Sequence, residues 1–355
     1  MSSAVEALSA SVVGGGFGGR LSLDALTSSP RFRLVAAADV SPKVRDELAA
    51  KYPGIRTFPD HRSMFRECPT DVVCVSTWPP SHEEVAMDAL KLPLKGILVE
   101  KPLGHTHASG RRILEAIRAR GLPMAVPHNL LSFGASLEVI RRVRAGDIGK
   151  LRSVEVECDK WDIMNAGIHW MNFFVMLVAG DQVESVMAAC EASTRTFRDG
   201  MQVETTAITC VTTNGGVRAW MVTGDKVGIS GGDRWQLFRI IGSTGIIEYQ
   251  AWDNQYVIRD ATHPSPVIVT PEGFPVTGHR RHLEGMADMI GGKADYSIPD
   301  SSISALAICE AAYLSARHKC KVVFPLEGFT PPPIPDWDPG TPYSGSGGGR
   351  DGRKL

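Results

Sequence analysis

The chain has 355 residues, more than the roughly 250–300 at which a single hydrophobic core stops growing, so we expect two domains. Hydrophobic residues make up 43% and charged residues 22%, which is the balance of a globular protein and excludes a disordered one. Lys and Arg number 38 against 39 for Asp and Glu. No basic run is present that would neutralise a line of phosphates, which argues against a nucleic-acid partner.

The cysteines and the apolar runs narrow the class of protein further. Seven cysteines are scattered without a CxxC pair or a Cys/His ligand spacing, so we expect reduced thiols, no disulfide framework and no metal site. The apolar run FFVMLVAG from Phe173 is far shorter than the roughly 20 residues of a membrane span. The N-terminus lacks the basic region and cleavage site of a signal peptide. We therefore expect a cytoplasmic protein that contacts no membrane.

Short apolar runs alternate with helical stretches in the first third of the chain, which is typical of βα units. Four runs predict strands: SVV (11–13), RLVAAAD (33–39), DVVCVST (71–77) and KGILVEK (95–101). Helices are predicted at 42–51 and 83–91, and both are opened by Ser or Pro residues suited to helix starts. The pattern favours an α/β fold with a doubly wound parallel sheet in a first domain at 1–125.

The character of the sequence changes at Leu151, where strand patterns follow one another closely. Strands are predicted at 151–161, 204–213, 217–224, 235–242 and 245–252, with turn pairs such as Asn214-Gly215 and Gly231-Gly232. Helices are predicted at 164–178, 281–290 and 303–319. A second domain at 126–330 is thus expected to be α+β with a large, mainly antiparallel open sheet. The Pro/Gly-rich stretch 331–355 reads as a tail that does not pack alone.

A glycine-rich turn follows the first strand and precedes a helix. Gly14, Gly16 and Gly19 form a G-x-G-x-x-G pattern that encloses Phe17 and Gly18. The first glycine permits a tight turn, the second lets the backbone approach a pyrophosphate, and the third lets helix and strand pack closely. The helix N-terminus adds N–H donors and partial positive charge. In this context the pattern predicts a dinucleotide site.

A carboxylate in the right position supports that prediction. Asp39 ends the second strand twenty residues after Gly19, where it can accept hydrogen bonds from ribose hydroxyls. It would repel the 2′-phosphate of NADP, and no Arg follows immediately, although Lys43 and Arg45 lie within one turn. We therefore expect NAD, with NADP as the less favoured cofactor.

Three further segments resemble a known family when they are taken with the glycine turn. They are STWPPSH (76–82), VEKPLG (99–104) and NAGIHWMN (165–172). Together they resemble the glucose-fructose oxidoreductase/inositol dehydrogenase/rhizopine-catabolism (Gfo/Idh/MocA) family, in the same order from about Ser11 to Phe324. Glu100-Lys101-Pro102 is the most specific single piece.

The resemblance implies a Rossmann domain followed by an open-sheet domain through which subunits associate into homodimers or homotetramers. It also implies hydride transfer between nicotinamide and a hydroxyl carbon of a sugar, a polyol or a sugar acid. The family's EKP lysine falls on Lys101 and its catalytic histidine on His169. The residues expected to bind the cofactor are Gly14, Gly16, Phe17, Gly18, Gly19, Asp39, Ser76, Thr77, Trp78, Pro80, His82, Glu100 and Lys101.

The two catalytic candidates suit alcohol chemistry. Lys101 ends a strand beside the expected cofactor, where its ammonium can donate a hydrogen bond to the reacting oxygen. His169 titrates near neutrality, which suits a base for alcohol oxidation and an acid for carbonyl reduction. We expect His169 to move the proton while Lys101 stabilises the developing alkoxide.

One departure from the family pattern leaves the mechanism open. Asn165 stands where the family has Asp four residues before the histidine, and Asn172 replaces another frequent Asp. An amide at position 165 can bind substrate or orient the imidazole, but it cannot take a proton. Either His169 works with Lys101 alone, or nearby Asp162 substitutes, or the reaction differs from simple alcohol oxidation.

Aromatic and polar residues near these motifs are expected to contact the substrate, because indoles stack on the C–H faces of sugar rings. His105 and His107 are expected to be structural or solvated. The expected substrate-binding residues are Lys101, His128, Asn129, Trp161, Asn165, His169 and Trp170.

Two other function classes remain open at this point. A redox-neutral lyase or glycoside-cleaving enzyme with tightly held NAD would use the same cofactor site, and net NADH production would distinguish a dehydrogenase from it. A non-catalytic sensor on the same fold is the third class, against which Lys101 and His169 argue.

Overall fold

The computed structural model describes residues 7–178, 180–191, 194–225, 227–229, 234–331 and 341–342. The chain forms two compact units, Met1–Asn129 with Val276–Ile303 and Leu130–Pro275 with Ser304–Leu355. This division differs from domains at 1–125 and 126–330, because a late segment of the chain belongs to the first unit. The predicted tail lies outside the described residues except for Pro331, Thr341 and Pro342.

The first unit is built on a parallel sheet. Its strands are β1 (Leu8–Val13), β2 (Phe32–Ala38), β3 (Arg56–Phe58), β4 (Val72–Val75), β5 (Gly96–Val99) and β6 (Met124–Ala125). Their order is β3-β2-β1-β4-β5-β6, and every pairing is parallel. Strands β2 and β3 are added on one side of β1, whereas β4, β5 and β6 are added on the other side. In doubly wound sheets, ligands bind at this change in strand order, at the carboxyl ends of the strands.

Helices connect these strands. They are α1 (Phe17–Ser28), α2 (Pro42–Lys51), α3 (His61–Glu67), α4 (His82–Ala89) and α5 (His107–Ala119). The predicted helix at 42–51 is confirmed, and its start is set by Pro42 in the first turn and by the Ser41 hydroxyl, which accepts the Val44 N–H. The helix predicted at 83–91 is present with slightly different ends.

Apolar side chains cover both faces of this sheet, as a buried parallel sheet requires. Along β4, Val73 and Val75 join the core on one face, while Val72 and Cys74 join the core on the other. Residues 276–303 add Leu283 and Met286 to the second core and pack Ile298 against the first, which explains why that segment belongs to this unit.

The second unit begins with two helices and a long series of strands. The helices are α6 (Gly134–Ala145) and α7 (Ile168–Val178). The strands are β7 (Leu151–Asp159), β8 (Val183–Cys190), β9 (Thr194–Arg198), β10 (Met201–Val203), β11 (Thr206–Thr213), β12 (Arg218–Gly224), β13 (Gln236–Gly242), β14 (Ile246–Tyr249), β15 (Tyr256–Arg259) and β16 (Val267–Val269).

The chain then returns to the first unit and leaves it again. Helix α8 (Gly278–Asp288) packs in the first unit through Leu283 and Met286. Helix α9 (Ser297–His318) starts in the first unit and continues into the second, followed by β17 (Val322–Val323) and β18 (Thr341–Pro342). The predicted helices at 281–290 and 303–319 are both present but begin earlier than their apolar pattern indicated.

The large sheet of the second unit is mixed and mainly antiparallel, as predicted. Its order is β16-β15-β14-β13-β7-β12-β11-β8-β17, and β7 with β12 is its parallel pair. The turn at Asn214-Gly215 joins β11 to β12, with Gly216 in the left-handed region at φ +83°. The Gly231-Gly232 pair lies outside the described residues. Strands β9, β10 and β18 form a separate small sheet.

Two further findings concern the whole described chain. None of the helices in the described ranges combines the length and apolar character that a bilayer crossing requires. The seven cysteines all fall in those ranges, each as a free thiol.

Candidate cofactor and active-site elements

The glycine turn of the first unit has a geometry that only glycine satisfies at two positions. Gly14 adopts φ +98°, and a Cβ there would lie 2.3 Å from the Ser76 carbonyl oxygen. A Cβ on Gly19 would lie 1.9 Å from the Gly14 carbonyl oxygen. By contrast, a Cβ on Gly16 would meet no atom within 4 Å. The first and third glycines are thus required for folding, while the second leaves open space at the helix start.

That open space lies at the N-terminus of α1. Gly16 is the N-cap residue, Phe17 begins the helix and is largely exposed, and Gly18 follows. The first N–H groups of a helix lack partners within it and carry partial positive charge. The space above Gly16 therefore fits a pyrophosphate, which is the group that the sequence pattern predicts.

The carboxylate of Asp39 is held at the rim of the glycine turn. Its Oδ2 accepts the Gly15 N–H at 2.7 Å, and its Oδ1 accepts the Ser41 N–H at 2.8 Å. The Arg45 guanidinium donates to the carbonyl oxygens of Asp39 and Val40, at 2.8 and 3.2 Å. The position of Asp39 thus fits contact with a ribose. The hydrogen-bond donors of Arg45 that are nearest to it are used by backbone carbonyls.

The segment after β4 presents both buried and exposed residues to this crevice. Ser76 is buried and donates its N–H to the Val13 carbonyl at 2.8 Å. Thr77 is half-buried, Pro80 is exposed, and Trp78 has 51% of its surface exposed. These four of the five cofactor residues predicted in this segment lie at the carboxyl end of β4, next to the glycine turn along the sheet.

His82 is placed differently from the expectation. It is fully buried, with Nδ1 3.0 Å from the Pro102 carbonyl oxygen and Nε2 2.9 Å from that of Thr77. Burial lowers the pKa of His82 despite the nearby carbonyls. This position does not fit a contact with the cofactor. His82 instead ties together the two loops that follow β4 and β5.

Glu100 and Lys101 follow β5 at the same edge of the sheet. Glu100 is buried, donates its N–H to Val75, and accepts the Lys101 N–H at 3.2 Å on Oε2. Its Oε1 pairs with Nε2 of His279, a residue of α8 that the sequence did not single out. Burial alone would raise the pKa of Glu100, but the charges of His279 and Lys101 hold it below its ordinary value. Lys101 itself is partly exposed.

His128 and Asn129 end the first part of this unit. His128 is fully buried, its Nε2 is 2.8 Å from the Ser302 hydroxyl, and its carbonyl accepts the His282 Nε2–H at 3.2 Å. Burial holds the pKa of His128 well below its ordinary value. The predicted substrate contact of His128 therefore does not fit. Asn129 is partly exposed, with Nδ2 3.4 Å from His279 Nδ1, and stays a candidate.

In the second unit, a single π-helical turn (Ile163–Gly167) precedes α7 within the stretch predicted as one helix. Such turns occur often at functional sites. Asp162 caps the turn because its Oδ1 accepts the Asn165 N–H at 2.7 Å, while its Oδ2 lies 2.5 Å from Nε of Arg198. Asp162 is fully buried. Both of its oxygens are thus engaged, and it does not substitute as a base toward a substrate.

The side chain of Asn165 meets a carboxylate that the sequence did not single out. Asn165 Nδ2 donates to Oδ2 of Asp199 at 2.9 Å. Asp199 is exposed and lies with Gly200 in the turn between β9 and β10. An Asp-Gly pair between two short strands is a hairpin signal, so the sequence predicts this turn. It does not predict that the turn lies against Asn165.

A buried acid lies beneath the same turn. Glu204 accepts the Ile163 N–H at 2.8 Å on Oε1 and the Tyr313 hydroxyl at 2.6 Å on Oε2. Burial, together with the negative charge of Asp162, raises the pKa of Glu204 to about 7. The turn before His169 is therefore held by ionisable side chains of residues 198–204.

His169 lies near the start of α7 and is largely buried. Its ring packs edge-on against Trp252, with 5.6 Å between centroids, and lies 6.3 Å from Trp170. Trp170 is fully buried against Phe238. Trp170 is thus a core residue, and its predicted contact with substrate does not fit. Asn172 is buried as well.

Three partly exposed indoles surround this region. Trp161 lies 6.4 Å from Trp235, which stacks nearly parallel to Trp252 at 6.5 Å between centroids. Trp252 adopts φ +73°, a backbone conformation that is strained for a bulky residue and is found mostly at functional sites. Sequence reasoning found Trp161 and missed the other two, because a strand end and a loop bring them in from far along the chain.

The predicted site residues are divided between the units. The cofactor residues and Lys101 belong to the first unit, whereas Trp161, Asn165 and His169 belong to the second.

One group of potential metal ligands, His61, Glu84 and Asp88, occurs within the described residues. Arg62 and Lys91 already neutralise its carboxylates, with Arg62 Nε 2.9 Å and Lys91 Nζ 2.5 Å from Asp88. The carboxylates of this group thus form ion pairs with cations of the protein.

Comparisons with known proteins agree with this architecture. Residues 8–128 match the Gfo/Idh/MocA oxidoreductase family, described by its NAD-binding Rossmann fold. An inositol 2-dehydrogenase of Pseudomonas fluorescens is 30% identical over 120 residues, which are 33% of this chain and 35% of that protein. A trans-1,2-dihydrobenzene-1,2-diol dehydrogenase of Bos taurus is 26% identical over 170 residues, 43% and 50% of the two chains. The matches thus span about a third to a half of these relatives.

The fold extends beyond the matched sequence. The structure of an aldose-aldose oxidoreductase from Caulobacter crescentus, complexed with glycerol, has a TM-score of 0.75 and 20% sequence identity. It covers 90% of this chain and all of its own, so both units share that fold. The sequence match to the Gfo/Idh/MocA oxidoreductase family, with its NAD-binding Rossmann fold, thus covers residues 8–128, and the likeness of the rest of the chain is one of fold.

Proposed function

We propose that the protein is an NAD(H)-dependent oxidoreductase that transfers a hydride between nicotinamide and a hydroxyl or carbonyl carbon of a sugar, a polyol or a sugar acid. The observation that carries this proposal is the open space above Gly16 with the Asp39 carboxylate at its rim and Lys101 at the neighbouring strand end. The names of the relatives, an inositol dehydrogenase and a dihydrodiol dehydrogenase, support an alcohol as the substrate.

The residues of the glycine turn fit NAD better than NADP. The N–H groups at the start of α1 would hold the pyrophosphate, and Asp39 would accept the ribose hydroxyls. The Asp39 charge opposes a 2′-phosphate, and Arg45, which could offset it, donates to backbone carbonyls instead. Bound NAD+ supplies the hydride acceptor.

Two side chains are assigned to the proton and the oxygen. Lys101 donates a hydrogen bond to the reacting oxygen and so stabilises the alkoxide that forms as the hydroxyl loses its proton. His169 takes that proton during oxidation and returns it during reduction. The Asn165 amide binds a substrate hydroxyl, since an amide cannot act as the base.

The test is absorbance at 340 nm with a panel of sugars, polyols, sugar acids and lactones, each run with NAD and with NADP. We expect net NADH production and at least a tenfold preference for NAD. Lys101→Ala should lower kcat by orders of magnitude while the Kd for NADH stays within about twofold. Unchanged turnover in Lys101→Ala would remove the assignment.

The same assay separates the alternatives. Conversion of a substrate without net NADH would favour a redox-neutral lyase or glycoside-cleaving enzyme. NADH binding without turnover of any compound would favour a sensor.

We also propose a cytoplasmic homodimer or homotetramer that associates through the exposed face of the large sheet. Met187 and Ile208 on the adjacent strands β8 and β11 are 56% and 54% exposed, and Trp220 on β12 is also exposed. Large apolar side chains on neighbouring strands are typical of an interface.

A further inference from the structure

The chain segment around the β9–β10 hairpin holds the π-helical turn at three points. We call this segment, residues 198–204, the clamp. Its three contacts join Arg198 Nε to Asp162 Oδ2 at 2.5 Å, Asp199 Oδ2 to Asn165 Nδ2 at 2.9 Å, and Glu204 Oε1 to the Ile163 N–H at 2.8 Å.

Two of these contacts are explained by folding. Arg198, Asp162 and Glu204 are all buried, and buried polar groups must be paired to avoid a large desolvation cost. The contact between Asp199 and Asn165 differs, because Asp199 is exposed. A surface hydrogen bond of this kind contributes little to stability, so folding does not account for it.

The backbone at Asp199 directs this carboxylate. Asp199 adopts φ +48° and Gly200 φ +81°, so two successive residues are in the left-handed region. Asp tolerates that region better than most residues. The hairpin turn thus holds the carboxylate against the amide.

The charge around the turn is negative. Arg198 offsets Asp162, and its guanidinium also lies 4.7 Å from the Trp161 ring. Asp199 is exposed, and its carboxylate adds a negative charge beside Asn165. A carboxylate ligand at this place would be repelled, whereas hydroxyl groups would find acceptors.

We propose that Asp199 is a positioning residue for Asn165, and that this carboxylate–amide pair selects uncharged polyhydroxylated rings over sugar acids. The pair uses one N–H of the Asn165 amide and thereby fixes the plane of that amide. A fixed acceptor beside an indole suits a ring with hydroxyls at its edge and C–H groups on its faces. This inference rests on the proposed function and narrows its substrate class.

The experiment measures kcat and KM for matched neutral and acidic substrates, glucose against glucuronate and myo-inositol alongside them. In the wild type we expect kcat/KM for the neutral member to exceed that for the acid at least tenfold. Asp199→Asn keeps a hydrogen-bond acceptor but removes the charge. We expect it to lower the neutral-to-acid ratio about tenfold, mainly through KM, with the Kd for NADH and the melting temperature unchanged.

An exchange variant tests whether the two side chains act as a pair. Asn165→Asp combined with Asp199→Asn restores one carboxylate and one amide in exchanged positions, so we expect it to recover most of the lost ratio. Asn165→Asp alone places two carboxylates together and should lower the melting temperature. Asp181→Asn is the matched control, because Asp181 also accepts an N–H from a hairpin turn, that of Gly215 at 2.8 Å.

The outcomes separate this inference from the proposed function. A wild type that binds NADH but neither oxidises nor binds any member of the panel overturns both. An active wild type that prefers the acid, or an Asp199→Asn variant with a ratio within twofold of wild type, overturns the inference alone. An exchange variant no better than Asp199→Asn overturns the pairing.

Discussion

The glycine turn of the first unit and the π-helical turn of the second are both candidate functional elements, yet they are held in opposite ways. The glycine turn is fixed by the absence of side chains, since a Cβ on Gly14 or Gly19 would overlap backbone atoms. The π-helical turn is fixed by side chains from elsewhere, including Arg198 and Glu204. A site that depends on backbone sterics can be predicted from a short stretch of sequence. A site that depends on side chains from a distant segment cannot.

The largest effect should follow from filling the backbone contact in the glycine turn. Gly19→Ala places a methyl group 1.9 Å from the Gly14 carbonyl oxygen, and neither atom belongs to a flexible side chain. We expect the free energy of unfolding to fall by about 5 kcal/mol or more, because backbone atoms themselves must shift. Urea denaturation followed by circular dichroism measures this change.

Gly16→Ala is the matched control in the same turn. A Cβ there meets no atom within 4 Å, so the free energy of unfolding should change by less than about 1 kcal/mol. The methyl group would fill the proposed pyrophosphate space and raise the Kd for NADH at least tenfold. Equal stability losses in the two variants would contradict the distinction between them.

The difference between the two turns also explains what the sequence could predict. Asp39 was predicted because its partners, Gly15 and Ser41, lie in the same βα unit, at a spacing set by strand and helix lengths. His279 is 179 residues away from Glu100, and no local pattern marks that pairing.

Burial was the other property that one sequence could not supply. Trp170 and Trp161 flank the same turn and look alike in sequence, but one is in the core and the other is partly exposed. The difference depends on Phe238 and Trp235, which arrive on a strand more than sixty residues later. The fold class and the glycine turn were therefore predictable, and the clamp was not.

The next effect concerns the pair behind Lys101. His279→Gln keeps a hydrogen-bond donor to Glu100 but removes the positive charge, which leaves a buried carboxylate without its ionic partner. Breaking such a pair costs about 3–5 kcal/mol. The loss follows because Glu100 is buried and the charge of His279 is what holds the pKa of this carboxyl below its ordinary value. Urea denaturation of wild type and variant at one neutral pH measures this change.

His282→Gln is the control on the same helix. His282 is buried one turn further on, but burial lowers its pKa to about 4, so it is neutral and donates to a carbonyl. Its replacement removes no charge, so it should lower the free energy of unfolding less than His279→Gln does at the same neutral pH. An equal loss in both variants would mean that His279 contributes packing and not charge.

The smallest effect is a pH dependence of stability from the acid beneath the π-helical turn. The pKa of Glu204 is raised to about 7 in the folded protein from an ordinary value of 4.5. The folded state therefore binds this proton more tightly than the unfolded state, and the stability due to Glu204 is lost as pH rises from about 4.5 to about 7. At about 1.36 kcal/mol per pKa unit, the loss is at most about 3 kcal/mol.

Comparison of wild type with Glu204→Gln isolates this contribution, because the buried histidines titrate in both proteins. Gln accepts the Ile163 N–H and donates to the Tyr313 oxygen without ionising. The variant should gain stability relative to wild type as pH rises from 5 to 8, in denaturation curves at each pH. The groups that surround Glu204 in the described chain and are common to both proteins are Asp162, Arg198, Cys190, Cys309 and Tyr313.

Tyr313→Phe then gives the direction of the effect. The Tyr313 hydroxyl lowers the pKa of Glu204 by hydrogen bonding to its carboxylate, so its removal should move the pH window upward. A stability difference between wild type and Glu204→Gln that stays constant from pH 5 to 8 would show that Glu204 is ionised throughout. The ion pair between Arg198 and Asp162 would then be the remaining buried contact that distinguishes the π-helical turn from the glycine turn.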